Sequence, residues 1–206
     1  MKLNVNSTRM ELMRLKRRLA VAQRGHKLLK DKQDELMRQF MEIIEETRKI
    51  RAKVERELSG VLGRFIHINS FMGPERVEEA LTLPSVKIEM EVSIMSIMNV
   101  KVPEISYKIE GPPKCYGYAG TSGELDLYIV ALRKLFSDMI KLAQNEKRAQ
   151  LLAEELVKTR RRVNALEYVL IPNIEETVRY ITIKLDEMER SNLSRLMKVK
   201  DIVRAK

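Results

Sequence analysis

The chain has 206 residues and a net charge of +10, room for one domain or for one elongated architecture. At 44% hydrophobic, 33% charged, 5% aromatic and without Trp, its composition suits long amphipathic helices better than a globule with an aromatic core. The single Cys115 excludes an intrachain disulfide and fits a reducing compartment; MKLNVNSTRM lacks the apolar run of a secretory signal, and no stretch nears the roughly 20 apolar residues of a membrane span.

Thr8-Arg9-Met10-Glu11 has the form of a capping box, so a helix is expected to begin there. Alternating steps of three and four from Leu12 reach Leu15, Leu19, Ala22, His26, Leu29, Gln33, Leu36, Phe40, Ile43, Thr47, Ile50, Val54, Glu57, Val61 and Arg64. Eleven of these sixteen positions are apolar, which makes a sustained heptad seam to Val54. A period of 3.5 in a helix of 3.6 implies a left-handed supercoil. Beyond Val54 the pattern moves to Leu58, Leu62 and Phe65. The helix is expected to span roughly 90 Å at 1.5 Å per residue and to stop before Gly73-Pro74.

Residues 73–120 hold five of the six prolines and four of the eight glycines. After Pro84-Ser85, Val86, Ile88, Met90 and Val92 alternate with Lys87, Glu89, Glu91 and Ser93, and Ile105, Tyr107 and Ile109 alternate in the same way. Period two predicts two short strands in a hairpin-like insertion, with Pro103 at an edge or a strand end. Thr121-Ser122-Gly123-Glu124 reads as a second capping box. The second helix steps through Leu125, Tyr128, Leu132, Leu135, Met139 and Leu142. A phase shift follows through Glu146, Ala149, Ala153 and Leu156, and the seam resumes at Val163, Leu166, Leu170, Ile174, Ile181, Leu185 and Met188. Pro172 is expected to kink this helix without ending it.

The resulting expectation is an all-α dominated fold: a long antiparallel two-helix left-handed coiled coil with a small central β-hairpin-like insertion. Its parts are 1–72, 73–120 and 121–206. The two ends of the chain should lie together, with Leu15 near Leu196 and the insertion at the opposite end.

Charge is concentrated at the chain ends. Residues 9–32 carry nine Lys and Arg against Glu11 and Asp31, and residues 190–206 carry six against Asp201. A basic end predicts an acidic partner or an anionic polymer. Nucleic acid is one reading, but the basic segments lack aromatics for stacking; a protein partner is the other. Gly117, Gly120 and Gly123 precede a helix without a GxxxxGK[ST] loop, which leaves a flexible helix entry as the simpler reading. His26, His67 and Cys115 have no metal-ligand spacing, and Glu45-Glu46 and Glu175-Glu176 read as solvated helix faces. No catalytic residue, cofactor or metal is expected. His26, Gln33 and Thr47 read as polar layers in the coil.

Two stretches carry a resemblance: NSTRMELMRLKRRLAVAQRGHKLLKDKQDELMRQF at 6–40 and KTRRRVNALEYVLIPNIEETVRYITIKLDE at 158–187. Both resemble the D-subunit family of V-type and archaeal/bacterial A-type rotary ATPases. The resemblance implies a non-catalytic central-stalk rotor shaft, cytoplasmic and peripheral to the membrane. Its termini would lie in a catalytic head of A and B subunits, a small F subunit on its side, and its middle towards the ring adaptor, the C (or d) subunit. It implies neither direct nucleic-acid binding nor membrane insertion. Gly25, His26, Arg161, Arg162, Asn164 and Glu167 match the family pattern as contact or coil-specifying positions, with packing inside the coil the alternative for His26 and Asn164. Arg14, Arg17, Arg18, Arg24, Arg161 and Arg162 are the expected head contacts, and Met90, Ile94 and Ile97 the expected ring-side contacts. Met90, Val92, Ile94, Met95, Ile97 and Met98 would supply adaptable apolar surface there.

Overall fold

A computed structural model describes residues 5–82, 86–112, 116–117 and 120–204. Pro84-Ser85 and Cys115 lie outside the described residues. In chain order the elements are α1 (Arg9–Met72), α2 (Pro74–Leu81), β1 (Lys87–Ile97), β2 (Val100–Glu110), α3 (Gly123–Ala165), a π turn (Leu166–Leu170) and α4 (Ile171–Arg204). The expected helix-dominated antiparallel coil with a small hairpin is the fold observed. Contacts divide the chain into a terminal unit, Met1–Glu35 with Leu156–Lys206, and a central unit, Leu36–Glu155.

Local chemistry sets where the helices begin and end. The Glu11 N–H donates to Thr8 Oγ1 (3.3 Å) and the Leu12 N–H to the Thr8 carbonyl (3.0 Å), so Thr8 caps α1. At Gly73 the backbone turns to φ +83°, a region open to glycine, and Pro74 begins α2 as its first residue. This short helix was not legible as a separate element. It packs Val77 against Ile68 and Leu125. The cap of α3 is displaced by one residue from the expected box: Ser122 Oγ accepts from the Glu124 N–H at 3.3 Å, while Thr121 Oγ1 donates to the Gly117 carbonyl.

In the terminal unit the start of α1 runs antiparallel to α4. Leu15 is buried with Ile174 and Ile181, and Leu12, Leu19, Val178 and Leu185 close the cluster. Arg9 pairs with Glu189. Leu15 therefore meets Ile174 and Ile181, not Leu196, which is 64% exposed. Fifteen residues of α4, 190–204, lie beyond the Glu189 pairing level, a helical length of about 22 Å.

In the central unit Val54 and Val61 bury against Leu135, and Ile68 against Leu125. Arg51–Glu146 (2.6 Å), Lys53–Asp138 (2.7 Å) and His67–Glu124 (3.2 Å) follow the same antiparallel order. The α1 seam continues as Ile50, Val54, Leu58, Val61, Phe65 and Ile68. Two successive steps of four make a local eleven-residue drift, which relaxes the supercoil and leaves the expected seam residue Leu62 half exposed.

The α3 seam also differs from its expected course. Leu135, Asp138, Leu142, Asn145, Ala149, Leu152, Leu156, Thr159 and Val163 keep one unbroken alternation of three and four, all buried or half-buried. There is no phase shift. Asn145 and Thr159 occupy seam positions whose polarity hid them, and Met139 is exposed. At 166–170 the helix widens: the Ile171 N–H donates to the Leu166 carbonyl, five residues back. Pro172 has no N–H for the Tyr168 carbonyl and its ring would collide with it in an α-helix. The wider turn accommodates both and adds one residue. Ile171 therefore takes the half-buried place expected for Leu170, which is exposed.

The two strands pair antiparallel along their whole length, from Lys87↔Glu110 to Ile97↔Val100. Met98 and Asn99, at φ 50° and 67°, form the two-residue turn, whose twist suits a tight hairpin. The hairpin runs back along α3 instead of capping its end. The Tyr107 hydroxyl meets Ser137 Oγ (2.7 Å), the Ile105 N–H donates to Gln144 Oε1 (3.1 Å), and Arg148 Nε donates to the Pro103 carbonyl (3.2 Å). Tyr107 also meets Phe136 edge to face.

Candidate interaction surfaces

In the terminal unit the α1–α4 seam leaves one side of each helix uncovered. Met10, Met13, Arg14, Arg17, Val21 and Gly25 recur at helical spacing along α1, facing Leu166, Val169, Leu170, Asn173 and Ile174. Together with Arg9 and Arg18 they line a groove of ≈ 1190 Å³. The groove is apolar inside, because the π turn directs Val169 and Leu170 outward, 57% and 45% exposed. Cations rim it. Arg14 is 71% exposed and 3.6 Å from Glu11, so one acid offsets part of that charge. Such a surface fits a segment combining apolar side chains with carboxylates.

Of the expected contact residues, the structure brings Arg14, Arg17 and Arg18 together at this groove. Arg24 lies on the same helix with its Nε on the Ala20 carbonyl (3.3 Å), outside the groove lining. Arg161 and Arg162 are exposed on α3 and also outside it. His26 Nε2 lies 3.3 Å from Glu167 Oε2, which joins α1 to the π turn. Asn164 is exposed and not packed in the coil. The groove's apolar half was missed. Its sequence signal was Tyr168-Val169-Leu170 just ahead of Pro172, one residue out of phase with the seam.

On the hairpin, Met90 and Ile94 are 59% and 72% exposed, with Val92 at 63%; Ile97 is half-buried near the turn. The lysine ammonium of Lys53 is held above its ordinary value of 10.5 by the hydrogen bond and charge of Asp138, and burial raises the Tyr128 phenol above 10.0. Neither group resembles a catalytic acid or base. Among the described residues no group of three or more His, Cys, Asp or Glu is placed to hold a metal ion, and no described helix is long and apolar enough to cross a membrane.

Comparison with known proteins identifies the family. The family model for the D subunit of ATP synthase matches residues 11–201, nearly the whole chain. The chain belongs to this family. It is 51% identical over 205 residues to the V-type ATP synthase D subunit of Acetivibrio thermocellus, covering 98% of this chain and 92% of that one. The V-type ATP synthase D subunit of Fusobacterium nucleatum is 51% identical over 205 residues, covering 98% and 97%, and one from Clostridium botulinum is 50% identical over 211 residues, covering 100% and 98%. As a member of the D-subunit family, the chain is a stalk subunit of a rotary ATPase.

Proposed function

We propose that the chain is the central-stalk rotor shaft of a V/A-type rotary ATPase or ATP synthase, and that it couples nucleotide turnover in the head to H⁺ or Na⁺ passage through the membrane ring. The terminal unit enters the catalytic head of A and B subunits. The small F subunit holds the side of the coil, and the ring adaptor, the C (or d) subunit, takes the central unit. The shaft stays on the cytoplasmic side, peripheral to the membrane, and carries no catalytic group; the head supplies the chemistry.

The groove rimmed by Arg9, Arg14, Arg17 and Arg18 is the observation that supports this reading best. It lies on one side of the coil only, and a shaft must present unequal sides to equivalent catalytic sites if rotation is to change them in turn. Charge-reversing Arg14, Arg17, Arg18 and Arg24 together should weaken assembly with A and B subunits and lower coupled hydrolysis. Single reversals should change little, since exposed pairs contribute about 0–1 kcal/mol each. Unchanged assembly of the quadruple variant by size-exclusion chromatography would reject the basic groove as the head contact.

A further inference from the structure

The two edges of the hairpin are treated differently. Its turn is two residues long, so Ile97 and Val100 form a hydrogen-bonded pair, and such pairs recur at every second residue from there. The intervening residues aim their backbone groups outward: Lys101, Pro103, Ile105, Tyr107 and Ile109 on β2, and Ile88, Met90, Val92, Ile94 and Ser96 on β1. The β2 edge is closed at its centre. The Ile105 N–H is taken by Gln144, the Pro103 carbonyl by Arg148, and Pro103 itself offers no N–H. On the β1 edge the outward N–H and C=O groups have no partner among the described residues, and the sheet ends there. This edge is eleven residues long and contains no proline or glycine. An exposed edge of that length is a ready template for another strand.

The side chains indicate what kind of strand. Ile88, Met90, Val92 and Ile94 form an apolar row on one face, 42%, 59%, 63% and 72% exposed. The opposite face carries Lys87 and Lys108 against Glu89, Glu91, Glu104 and Glu110, a net of −2 in a chain of +10. Lys87 pairs with Glu89 at 2.7 Å, while Glu91 and Glu104 have no ion pair among the described residues. A second copy would bring this acidic face against itself. A strand with apolar residues at alternate positions and Lys or Arg between them matches both faces.

We propose that β1 is a strand-addition site: an extended segment of another subunit of the rotary complex, alternating apolar and basic residues, pairs with it and makes the hairpin a three-stranded sheet. The inference rests on the chain being a stalk subunit of that complex. Incorporation of the chain into the reconstituted complex is therefore checked first, and its failure would count against the stalk assignment. Residue-resolved hydrogen exchange is then compared between the free chain and the complex. In the free chain the inward amides of Glu89, Glu91, Ser93 and Met95 should be protected, and those of Ile88, Met90, Val92, Ile94 and Ser96 open. In the complex these five should slow by about tenfold or more. Incorporation without that slowing overturns the proposal, as does slowing in the free chain accompanied by a dimer mass, which would make the occupant a second copy.

A pair of variants separates edge pairing from simple apolar burial. Val92→Pro removes one outward N–H and leaves the β1–β2 ladder donors in place, as Pro103 already does opposite Ile94. Val92→Thr keeps the N–H and the side-chain shape. Assembly should weaken about tenfold with Val92→Pro and change less than about twofold with Val92→Thr. The reverse order would show that the side-chain face, and not the edge, makes the contact. If Val92→Pro loses the ladder protection, the amide comparison on the unaltered chain decides alone.

Discussion

Asn145, Thr159 and Thr177 are buried at positions where the seam carries Leu, Ile or Val elsewhere. A reading of apolar periodicity passes over such residues, and it is this, not any change in the helix, that breaks the apparent register between Leu142 and Val163. Thr177 shows how the cost is met: its hydroxyl donates to the Asn173 carbonyl at 2.6 Å, within its own helix. The corrected seam makes a direct prediction. Leu152, fully buried, should cost about 2–5 kcal/mol when changed to Ala. Leu170, 45% exposed, should cost no more than about 0.5 kcal/mol. Urea denaturation of the two variants checks the order, and equal losses would restore the phase read from sequence. Alkaline pH supplies a second test at this scale. Lys53 and Tyr128 both titrate above their ordinary values, 10.5 and 10.0, so the folded state holds their protons more tightly than the unfolded chain. The stability they contribute is present below pH 10 and is lost as pH rises through the raised values. Unfolding followed from pH 8 to 11.5 should show a flat profile that falls above about pH 10, with Lys53→Met and Tyr128→Phe each removing part of the fall.

The elements were legible where the period was long and the punctuation strong. Thr8 and the Gly73-Pro74 pair bound α1 as expected, and strict alternation located both strands. Less visible were features that depend on tertiary pairing: that the hairpin folds back onto Ser137, Gln144 and Arg148, and that α2 forms against Ile68 and Leu125. Pro172 lay between the two cases. A disturbance was legible; its form, a π turn that inserts one residue, was not. That form is testable. Deleting Leu170 together with Pro172→Ala should restore an ordinary α-helix with Val163, Leu166, Ile171 and Ile174 in register, and thermal stability should be at least that of the parent. Deleting Leu170 with Pro172 retained should destabilise by about 3 kcal/mol, because proline then sits in an unrelieved α-helix. Equal melting temperatures for the two deletions would show that proline does not dictate the turn. A change here also moves Val169 and Leu170, so the groove and the turn are parts of one feature.

For the molecule as a whole, the family was legible in two stretches of sequence, while which of the arginines share one side of the coil was only partly so. Arg14, Arg17 and Arg18 converge on one groove, whereas Arg24, Arg161 and Arg162 lie outside its lining. Arginines on a helix surface are all similar in sequence; which of them share a side depends on the phase of the partner helix, and the π turn changes that phase. The isolated chain should not bind ATP at micromolar concentration by calorimetry, because its sequence has no GxxxxGK[ST] phosphate loop. The central claim is that this shaft turns. It is tested most directly by fixing A and B subunits to a surface, attaching a bead through Ser93→Cys on the exposed hairpin, and watching it under ATP. The account predicts sustained rotation in one sense, stopping when ATP is removed. Steady hydrolysis by the same assembled complexes with a stationary bead would contradict it.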